Sequence, residues 1–498
     1  MRSAAIVLFF LLLCGCAATH PHPPPVPPDA GNNNAASDSS LPEANAFQQG
    51  LTDFEQNHAG LAAASGADTP SGQFATPGES PAVSNPLTLD SAVEAAIANN
   101  PEVAAAKWDA AAASARKDRA AGQRLPDIGI AGNYTHRLDR ERVMPTRREG
   151  EPGAFSRSVA SAEVVLSVPV YTGGRLSSEV QAAELLREEA RRSHIRTRQA
   201  LVFDVSSVFF QILAQRSVIE SLELSEKALE EHLRQIDEWI ASKKAAPVDR
   251  MRTEVRMAEL RQDFVREKNL LSIQHRILAN LMGLPGQAGR IDPVGDLEEK
   301  KPPDLPDFDF ALKTAKQQRQ DLRAARAAAE AQAKKVDAAK GARWPVISLE
   351  GAYGGRRAVG SVVGPGDDAG DTGRVGVAME MPLFQGGAID ASIRENRAEY
   401  EAARQRMRAL EHRITLEVDT ASLDVQAASE QVRAGRTTVA LARETLRIEQ
   451  EKYAAGTAAV ADVLDAQAAL LDAEKTYYRA MAEFRTAAVR LHLAMGEL

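Results

Sequence analysis

Cysteine and aromatic side chains are scarce in this chain of 498 residues. The only two cysteines are Cys14 and Cys16, and aromatic residues make up 5% of the sequence. So few aromatics, together with many alanines, favour long helices over a compact globule. Removal of a leader that contains Cys14 excludes a disulfide within one chain, so packing and assembly have to supply the stability.

Long apolar runs are missing beyond the N-terminus. The run from Ala4 to Leu13 follows Arg2 and is too short to span a bilayer, which is typical of an export signal over residues 1–15. No later segment approaches the roughly 20 apolar residues of a membrane-spanning helix. The sequence therefore predicts an exported protein that crosses no membrane by a helix.

Positive charge is absent from residues 16–86, which contain eleven prolines, seven acidic residues and no Lys or Arg. Such a segment buries too little apolar surface to fold alone. It is predicted to be a tether, with an arm laid along another surface as the alternative. The net charge of −8 leaves no basic stripe for nucleic acid.

Leu13-Cys14-Gly15-Cys16 resembles the bacterial lipobox, in which the final cysteine is acylated and becomes the new N-terminus. The resemblance implies a covalent lipid on Cys16, and the following Ala17 points to the outer membrane. The alternative is ordinary cleavage, which would leave Cys16 as an unpaired exported thiol. No cofactor other than this lipid is expected.

An internal repeat organises the rest of the chain. Leu125-Pro126 is answered by Trp344-Pro345 at an offset of 219 residues (345 − 126), and Pro169 by Pro382 at an offset of 213 (382 − 169). We therefore divide the chain into a first repeat at 87–290, a linker at 291–307 and a second repeat at 308–498. The loop that is six residues longer in the first repeat is placed between Gly132 and Pro169, where turn residues cluster from Asp139 to Gly153.

Within each repeat the hydrophobic period changes from helical to alternating and back. Ile128, Ile130 and Tyr134 alternate with polar or small residues, so each repeat is predicted to contain a hairpin of strands about ten residues long. The predicted transitions between strand and helix are Pro126, Pro169, Gly173, Gly174, Pro345, Pro382, Gly386 and Gly387. Proline ends either type of backbone ladder, and the glycine pairs allow the chain to change direction.

Long helical segments occupy most of both repeats. Single helices are predicted from Thr88 to Arg124, from Gly174 to about Ser242, and from Pro247 to about Gly283. The fold class is therefore mainly α, with long antiparallel coiled coils and four strands per chain. Four strands cannot close into a barrel in lipid, where open sheet edges are not tolerated, so subunits have to share one barrel.

The two-copy layout, the Gly-Gly motifs and the stretch from Lys452 to Gln467 resemble the TolC family of outer-membrane efflux proteins. The likeness covers roughly residues 87–498. It implies a homotrimer with a twelve-stranded barrel in outer-membrane lipid of a Gram-negative bacterium and a helical tunnel in the periplasm. It also implies a periplasmic adaptor and an inner-membrane pump as partners, and hence an efflux duct.

The same resemblance implies a gate at the periplasmic ends of the helices. Asp462 and Asp465 correspond to acidic rings at the constriction, and Tyr453 and Asp249 to positions that hold neighbouring helices together. The alternative is that the acids cap the helix that begins near Ala459, and a capping role for Asp249 after Pro247 is equally open. Two departures are Ala458 at the family's arginine position and Lys243 opposite Gly456, which predicts a differently shaped first tip.

Two other functions are open beside efflux. The first is the same duct used for type I protein secretion, and the second is a periplasmic coiled-coil adaptor or scaffold without a pore. The histidines show no metal-ligand spacing, and phosphate-binding loops, nucleophile elbows and paired catalytic acids were not found. The chain is therefore expected to bind no metal and to catalyse no reaction.

Overall fold

The internal repeat is visible as two equivalent sets of elements in a computed structural model of the protein. The structure describes residues 86–144, 155–297, 306–359 and 369–498. The predicted signal, Cys16 and residues 16–85 of the predicted tether lie outside the described residues. The following bounds therefore concern the two repeats only.

The first repeat consists of α1 (Leu89–Asn99), α2 (Pro101–Gly122), β1 (Asp127–Arg142), β2 (Phe155–Tyr171), α3 (Arg175–Ala241) and α4 (Pro247–Leu281). The second consists of α5 (Phe308–Gln318), α6 (Gln320–Gly341), β3 (Val346–Ala358), β4 (Ala369–Glu380), α7 (Ala388–Ala454) and α8 (Val460–Met495). A short 3-10 helix, Pro285–Arg290, follows α4. The predicted fold class, mainly helical with four strands in two copies, is confirmed.

The first helical segment is broken at Asn100, so the single helix predicted from Thr88 to Arg124 is wrong. Pro101 lacks an N–H and forces Asn100 into an extended conformation, with ψ of 125°. The Asn100 side chain then caps α2 by accepting hydrogen bonds from the N–H groups of Glu102 and Val103. The second repeat breaks in the same way at Arg319, where ψ is 124°.

Two helices of 67 residues, α3 and α7, extend about 100 Å each and form the frame of the protein. Near the sheet the helices lie in the order α2, α3, α6, α7, and beyond it in the order α4, α3, α8, α7. The helices α2 and α4 therefore form one edge of the protomer and α7 forms the other. Where α3 has the buried Leu222, α7 has Gly435.

One window of 18 residues in α3, with a mean hydropathy of 1.2, is apolar enough for a membrane span, which differs from the sequence expectation for that segment. Half of this window is buried inside the protein. Phe209, Ile212 and Leu213 of α3 lie in the main core with residues of α1, α4 and α8. The apolar character of α3 is therefore explained by its central place in the helix bundle.

The four strands form one antiparallel sheet in the order β1-β2-β3-β4. They contain 16, 17, 13 and 12 residues, longer than the predicted ten. The ladder continues past a register shift between His136 and Glu141, so the predicted loop is wrong for Asp139 to Arg142. Residues 145–154 of that loop lie outside the described residues.

The register places the predicted apolar residues on one face of the sheet. Ile130, Val375 and Val377 on that face are 84%, 83% and 71% exposed. On the opposite face Glu163 and Arg374 form an ion pair at 2.9 Å across β3. A sheet with one polar and one apolar face needs lipid against the apolar face.

Residues 291–297 of the predicted linker pack against the first repeat. Leu87 exchanges backbone hydrogen bonds of 3.0 and 2.9 Å with Asp292 and Val294. Arg216 of α3 also pairs with the Asp292 carboxylate. We call residues 291–297 the strap. They pack on α3 and begin the connection between the two repeats.

Candidate functional site

The passage from strand to helix is made by two glycine pairs in the left-handed region. The φ angles are 61° and 80° at Gly173 and Gly174, and 61° and 83° at Gly386 and Gly387. A Cβ at Gly173 would lie 2.5 Å from the carbonyl oxygen of Gly341. The chain therefore needs glycine here both for its backbone angle and for a close approach to α6.

The prolines of these passages differ in position. Pro126 and Pro345 precede β1 and β3, and Pro382 follows β4. Pro169 lies inside β2, where the register shifts between Pro169 and Tyr171, so the strand continues two residues past the predicted end. The shift accommodates a residue without an N–H in an otherwise paired strand.

The two helical tips, residues 242–246 and 455–459, have matching backbones. Lys243 has φ of 58° where the equivalent Gly456 has 74°. The Lys243 N–H donates to Ile240 at 3.0 Å, and the Gly456 N–H to Tyr453 at 2.9 Å. The expectation that Lys243 changes the shape of the first tip is therefore wrong, although lysine carries a steric cost in this conformation that glycine avoids.

Asp249 and Asp462 occupy equivalent positions in the first turns of α4 and α8. The Asp249 carboxylate accepts a hydrogen bond from the Ala246 N–H at 3.3 Å, and Asp462 accepts one from the Ala459 N–H at 2.9 Å. Each carboxylate therefore binds the free N–H that precedes its helix. Asp462 is also exposed and Asp249 is partly exposed, so capping leaves both carboxylates accessible to the space beyond the tip.

Asp465 is exposed one turn further along α8 and makes no such cap. It lines a groove of about 410 Å³ between α4 and α8, together with Arg252 and Arg256. Within the described residues it forms no ion pair with Lys243 or Lys244. Arg252 is the first-repeat equivalent of Asp465 (465 − 213). The repeat offset could therefore have identified this arginine from the sequence, but the sequence reasoning missed it.

Tyr453 lies in an aromatic cluster that we call the tip cluster, formed with His232 and Trp239 of α3. The Tyr453 ring centroid lies 5.1 Å from that of Trp239 and 5.4 Å from that of His232. The Tyr453 hydroxyl is buried without a hydrogen-bond partner among the described residues. Tyr453 therefore holds α7 against α3 by ring packing.

Burial shifts the pKa values of two side chains in this cluster. Burial, and then the carboxylate of Asp249, raise the pKa of the Tyr453 hydroxyl. Burial lowers the pKa of His232, whose Nε2 is also without a partner in the described part of the chain. Tyr453 and Asp249 are thus electrostatically coupled but not hydrogen-bonded. Sequence reasoning missed His232 and Trp239, although their spacing of seven residues puts both on one face of α3.

A second polar cluster lies at the break between α5 and α6. The Arg319 side chain is 1% exposed and pairs at 2.6 Å with both Asp321 and Glu417. It also donates to the Ala494 carbonyl at 3.3 Å, as the equivalent Asn100 donates to the Leu281 carbonyl at 2.9 Å. Arg319 thus joins α6, α7 and α8 at one point.

The sheet and the helices together define a class of protein. One apolar face, two open sheet edges and long helices reached through glycine turns are the features of one protomer of an outer-membrane channel. The chain matches the outer membrane efflux protein family over residues 92–284 and 311–497, and it belongs to that family. The gap between the two matches contains the strap.

Known proteins share this architecture over most of their length. The curated outer membrane protein TolC of Vibrio cholerae is 23% identical over 403 residues, which cover 80% of this chain and 88% of the relative. The crystal structure of VceC from Vibrio cholerae has a TM-score of 0.68 at 19% identity and covers 82% of this chain and 96% of that one. For the CmeC channel of Campylobacter jejuni the TM-score is 0.71 at 15% identity, with coverages of 82% and 85%.

Proposed function

We propose that this protein is the outer-membrane duct of a tripartite efflux system. The observation that carries the proposal is the amphipathic sheet joined directly to the long helices α3 and α7. Family membership supports an efflux channel. The sheet would carry the duct through the membrane, and the helices would continue it into the periplasm, where an adaptor and an inner-membrane pump would deliver substrates.

The protomer is incomplete as a channel, which supports assembly into a trimer. In the described sheet β1 and β4 each have one unpaired edge, and such edges are not stable in lipid. The helix edges are also apolar: Met251 and Val255 on α4 are 62% and 59% exposed, and Leu416 on α7 is 65% exposed. Pairing of β4 with β1 of the next copy would close a twelve-stranded barrel, and packing of the helices of neighbouring copies would cover these side chains.

A lipid anchor on Cys16 remains part of the proposal and rests on the lipobox alone. Cys16→Ser should abolish incorporation of radiolabelled palmitate while the helical and sheet domains still fold, because neither contains this residue. Labelling of cells that express the two forms checks this. Equal incorporation into both forms would contradict the anchor.

Channel activity provides the direct test of the duct. The purified protein should form cation-selective pores in planar bilayers, because Asp249, Asp462 and Asp465 would repeat threefold around the tip. Asp465→Asn should reduce the ratio of cation to anion permeability about two- to threefold, since this carboxylate does not cap a helix. Reversal potentials in a salt gradient measure the ratio.

Arg252→Gln is the matched control for this substitution. It removes the opposite charge at the equivalent position, so cation preference should increase. Unchanged selectivity in both variants would show that the tip does not line the pathway. A preparation that remains monomeric without detergent and never conducts would overturn the proposed function itself.

A further inference from the structure

The internal repeat allows the contact between copies to be deduced from a contact inside the protomer. Within one chain α3 of the first repeat packs on α6 of the second. The equivalent pair, by the offsets of 213 and 219, is α7 and α2, which lie at opposite edges of the protomer. Only α7 of one copy and α2 of the next can reproduce the packing, so this inference rests on the proposed function.

The glycines show that the edges have matching shapes. Gly173 at the start of α3 lies against Gly341 at the end of α6, and a Cβ on Gly173 would lie 2.5 Å from its carbonyl oxygen. Their equivalents, Gly386 and Gly122, have no neighbouring atom within 4 Å of an added Cβ. The same small residues are thus present at both edges, without the partner helix that makes them necessary inside the chain.

Burial differs in the same sense between α6 and α2. Ala327 on α6 is 7% exposed, whereas its equivalent on α2, Trp108, is 69% exposed. Where α6 buries an alanine, α2 thus exposes a tryptophan. Tryptophan is a side chain expected at the centre of an interface. The α2 face that contains Trp108 is therefore the face that the next copy covers.

The charges are rearranged between the two contacts. Inside the protomer a groove between α3 and α6 is lined by Ser193, Arg196, Asp321, Ala324 and Ala328 among others. Arg196 Nε lies 3.9 Å from Asp321 Oδ2 in this groove. At the equivalent positions α7 has Arg406 for Ser193 and Ala409 for Arg196, and α2 has Glu102 for Asp321, Ala105 for Ala324 and Asp109 for Ala328.

Compared with the α3 and α6 contact, the α7 and α2 pair has its cation one helical turn away, at the position of Ser193, and has one more acidic residue. Because α3 and α6 run antiparallel, the position of Ser193 lies between the levels of Asp321 and Ala328. Arg406 would accordingly lie between Glu102 and Asp109 of the next copy. All three side chains are exposed, and none takes part in an ion pair within the described residues.

The acidic side of this contact has an excess of negative charge in the protomer. Burial, and then the carboxylate of Glu102, raise the pKa of Asp204, the equivalent of Glu417. In the second repeat Arg319 neutralises the corresponding pair, but Asn100 in the first repeat has no charge. A cation from outside the protomer would relieve this repulsion.

We propose that neighbouring copies are joined by α7 packing on α2, with Arg406 of one copy held between Glu102 and Asp109 of the next and with Trp108 buried beside them. This ion triad and the tryptophan specify which edges meet. Inside the chain, Arg196 and Asp321 perform the corresponding task. The two junctions of the ring therefore carry different charge patterns on the same packing geometry.

Cross-linking of full-length protein in outer-membrane vesicles tests the packing. Ala105→Cys combined with Ala409→Cys places thiols at positions whose equivalents line the α3 and α6 groove. A short bismaleimide should convert the double variant to covalent dimers and closed trimers on denaturing gels. Each single-cysteine variant should give no trimer, because a closed ring needs both thiols in every chain.

Charge reversal tests the ion triad. Arg406→Glu should lower the temperature at which the trimer dissociates on gels by about 5 °C, since three acids then meet at the contact. Adding Asp109→Arg should restore most of the loss. Arg408→Glu is the matched control, since it is exposed on the same helix but turned away by about 200°, and it should leave the temperature unchanged.

The outcomes separate this inference from the proposed function. Failure of the double-cysteine variant to cross-link, in a preparation that still forms conducting trimers, overturns the inference alone. Equal destabilisation by Arg406→Glu and Arg408→Glu without rescue also overturns it. Absence of trimers and conductance in the unmodified protein overturns both.

Discussion

Tyr453→Ala is expected to open the periplasmic end of the tunnel. The substitution removes the ring that packs against Trp239 and His232 and so removes this contact between the end of α7 and α3. Loss of a partly buried aromatic ring costs about 2–3 kcal/mol, enough to change a mostly closed tip into a mostly open one. Single-channel conductance in planar bilayers should increase several-fold.

Tyr453→Phe distinguishes ring packing from a hydroxyl latch. The resemblance to the TolC family implies that Tyr453 and Asp249 hold neighbouring helices together, and if the Tyr453 hydroxyl did so by a hydrogen bond, either substitution would open the tip. In this structure the hydroxyl has no hydrogen-bond partner among the described residues, so phenylalanine should keep the tip closed or stabilise it slightly. Equal conductance of the Phe and Ala variants would contradict the packing account.

Acidification should weaken the same cluster. Burial lowers the pKa of His232 below its ordinary value of 6.5, so the closed tip disfavours the protonated ring. The stability of the cluster is therefore present above pH 6.5 and is lost as the pH falls from there towards the lowered pKa. His232→Gln should reduce this dependence while Tyr453 remains in place.

Arg319→Met should produce the largest loss of stability in the helical domain. Methionine replaces the aliphatic part of the side chain but leaves the carboxylates of Asp321 and Glu417 without their cation. Breaking a buried ion pair by removing one partner costs about 3 kcal/mol, allowing for the partial exposure of both acids. Thermal dissociation of the detergent-solubilised trimer, followed by circular dichroism, measures the loss.

Asn100→Ala is the matched control in the other repeat. It removes a helix cap and a bond to the Leu281 carbonyl but no charge, so the expected cost is about 1 kcal/mol. If the two variants lost equal stability, the charge of Arg319 would not be responsible.

The pH dependence of the Arg319→Met variant has a defined sign. In the native protein burial alone would raise the pKa of Asp321, but the hydrogen bonds and charge of Arg319 lower it. This contribution is present above the ordinary carboxyl range and is lost as the pH falls through it. Without the arginine the Asp321 carboxylate should protonate more readily, so the deficit relative to the native protein should shrink between neutral and acidic pH.

Much of the fold could be predicted because most helices and strands have a signal in their own local sequence. The 67-residue length of α3 follows from an uninterrupted helical period between Gly174 and the tip, and the strand faces follow from alternation. The break at Asn100 had a signal in Pro101, but the equivalent break at Arg319 is followed by Gln320. Only tertiary packing, with Arg319 anchored to α7 and α8, accounts for the second break.

The tip was less predictable for the same reason. Capping by Asp249 and Asp462 depends on a spacing of three residues and could be read from the sequence. The tip cluster depends on how α7 lies against α3, residues that are more than 200 positions apart. Local patterns determine which helices form, whereas the contacts between them follow from complementary surfaces.

Gly435 makes the two long rods mechanically unequal. Glycine in a helix interior costs about 1 kcal/mol relative to alanine, and the equivalent Leu222 of α3 is fully buried. Gly435 lies 19 positions before Ala454, the last residue of α7, or about 29 Å from its end. We therefore expect α7 to bend more easily at Gly435 than α3 does at Leu222. The end of α7 that carries Tyr453 is then the part that moves when the tip opens, and the end of α3 stays in place.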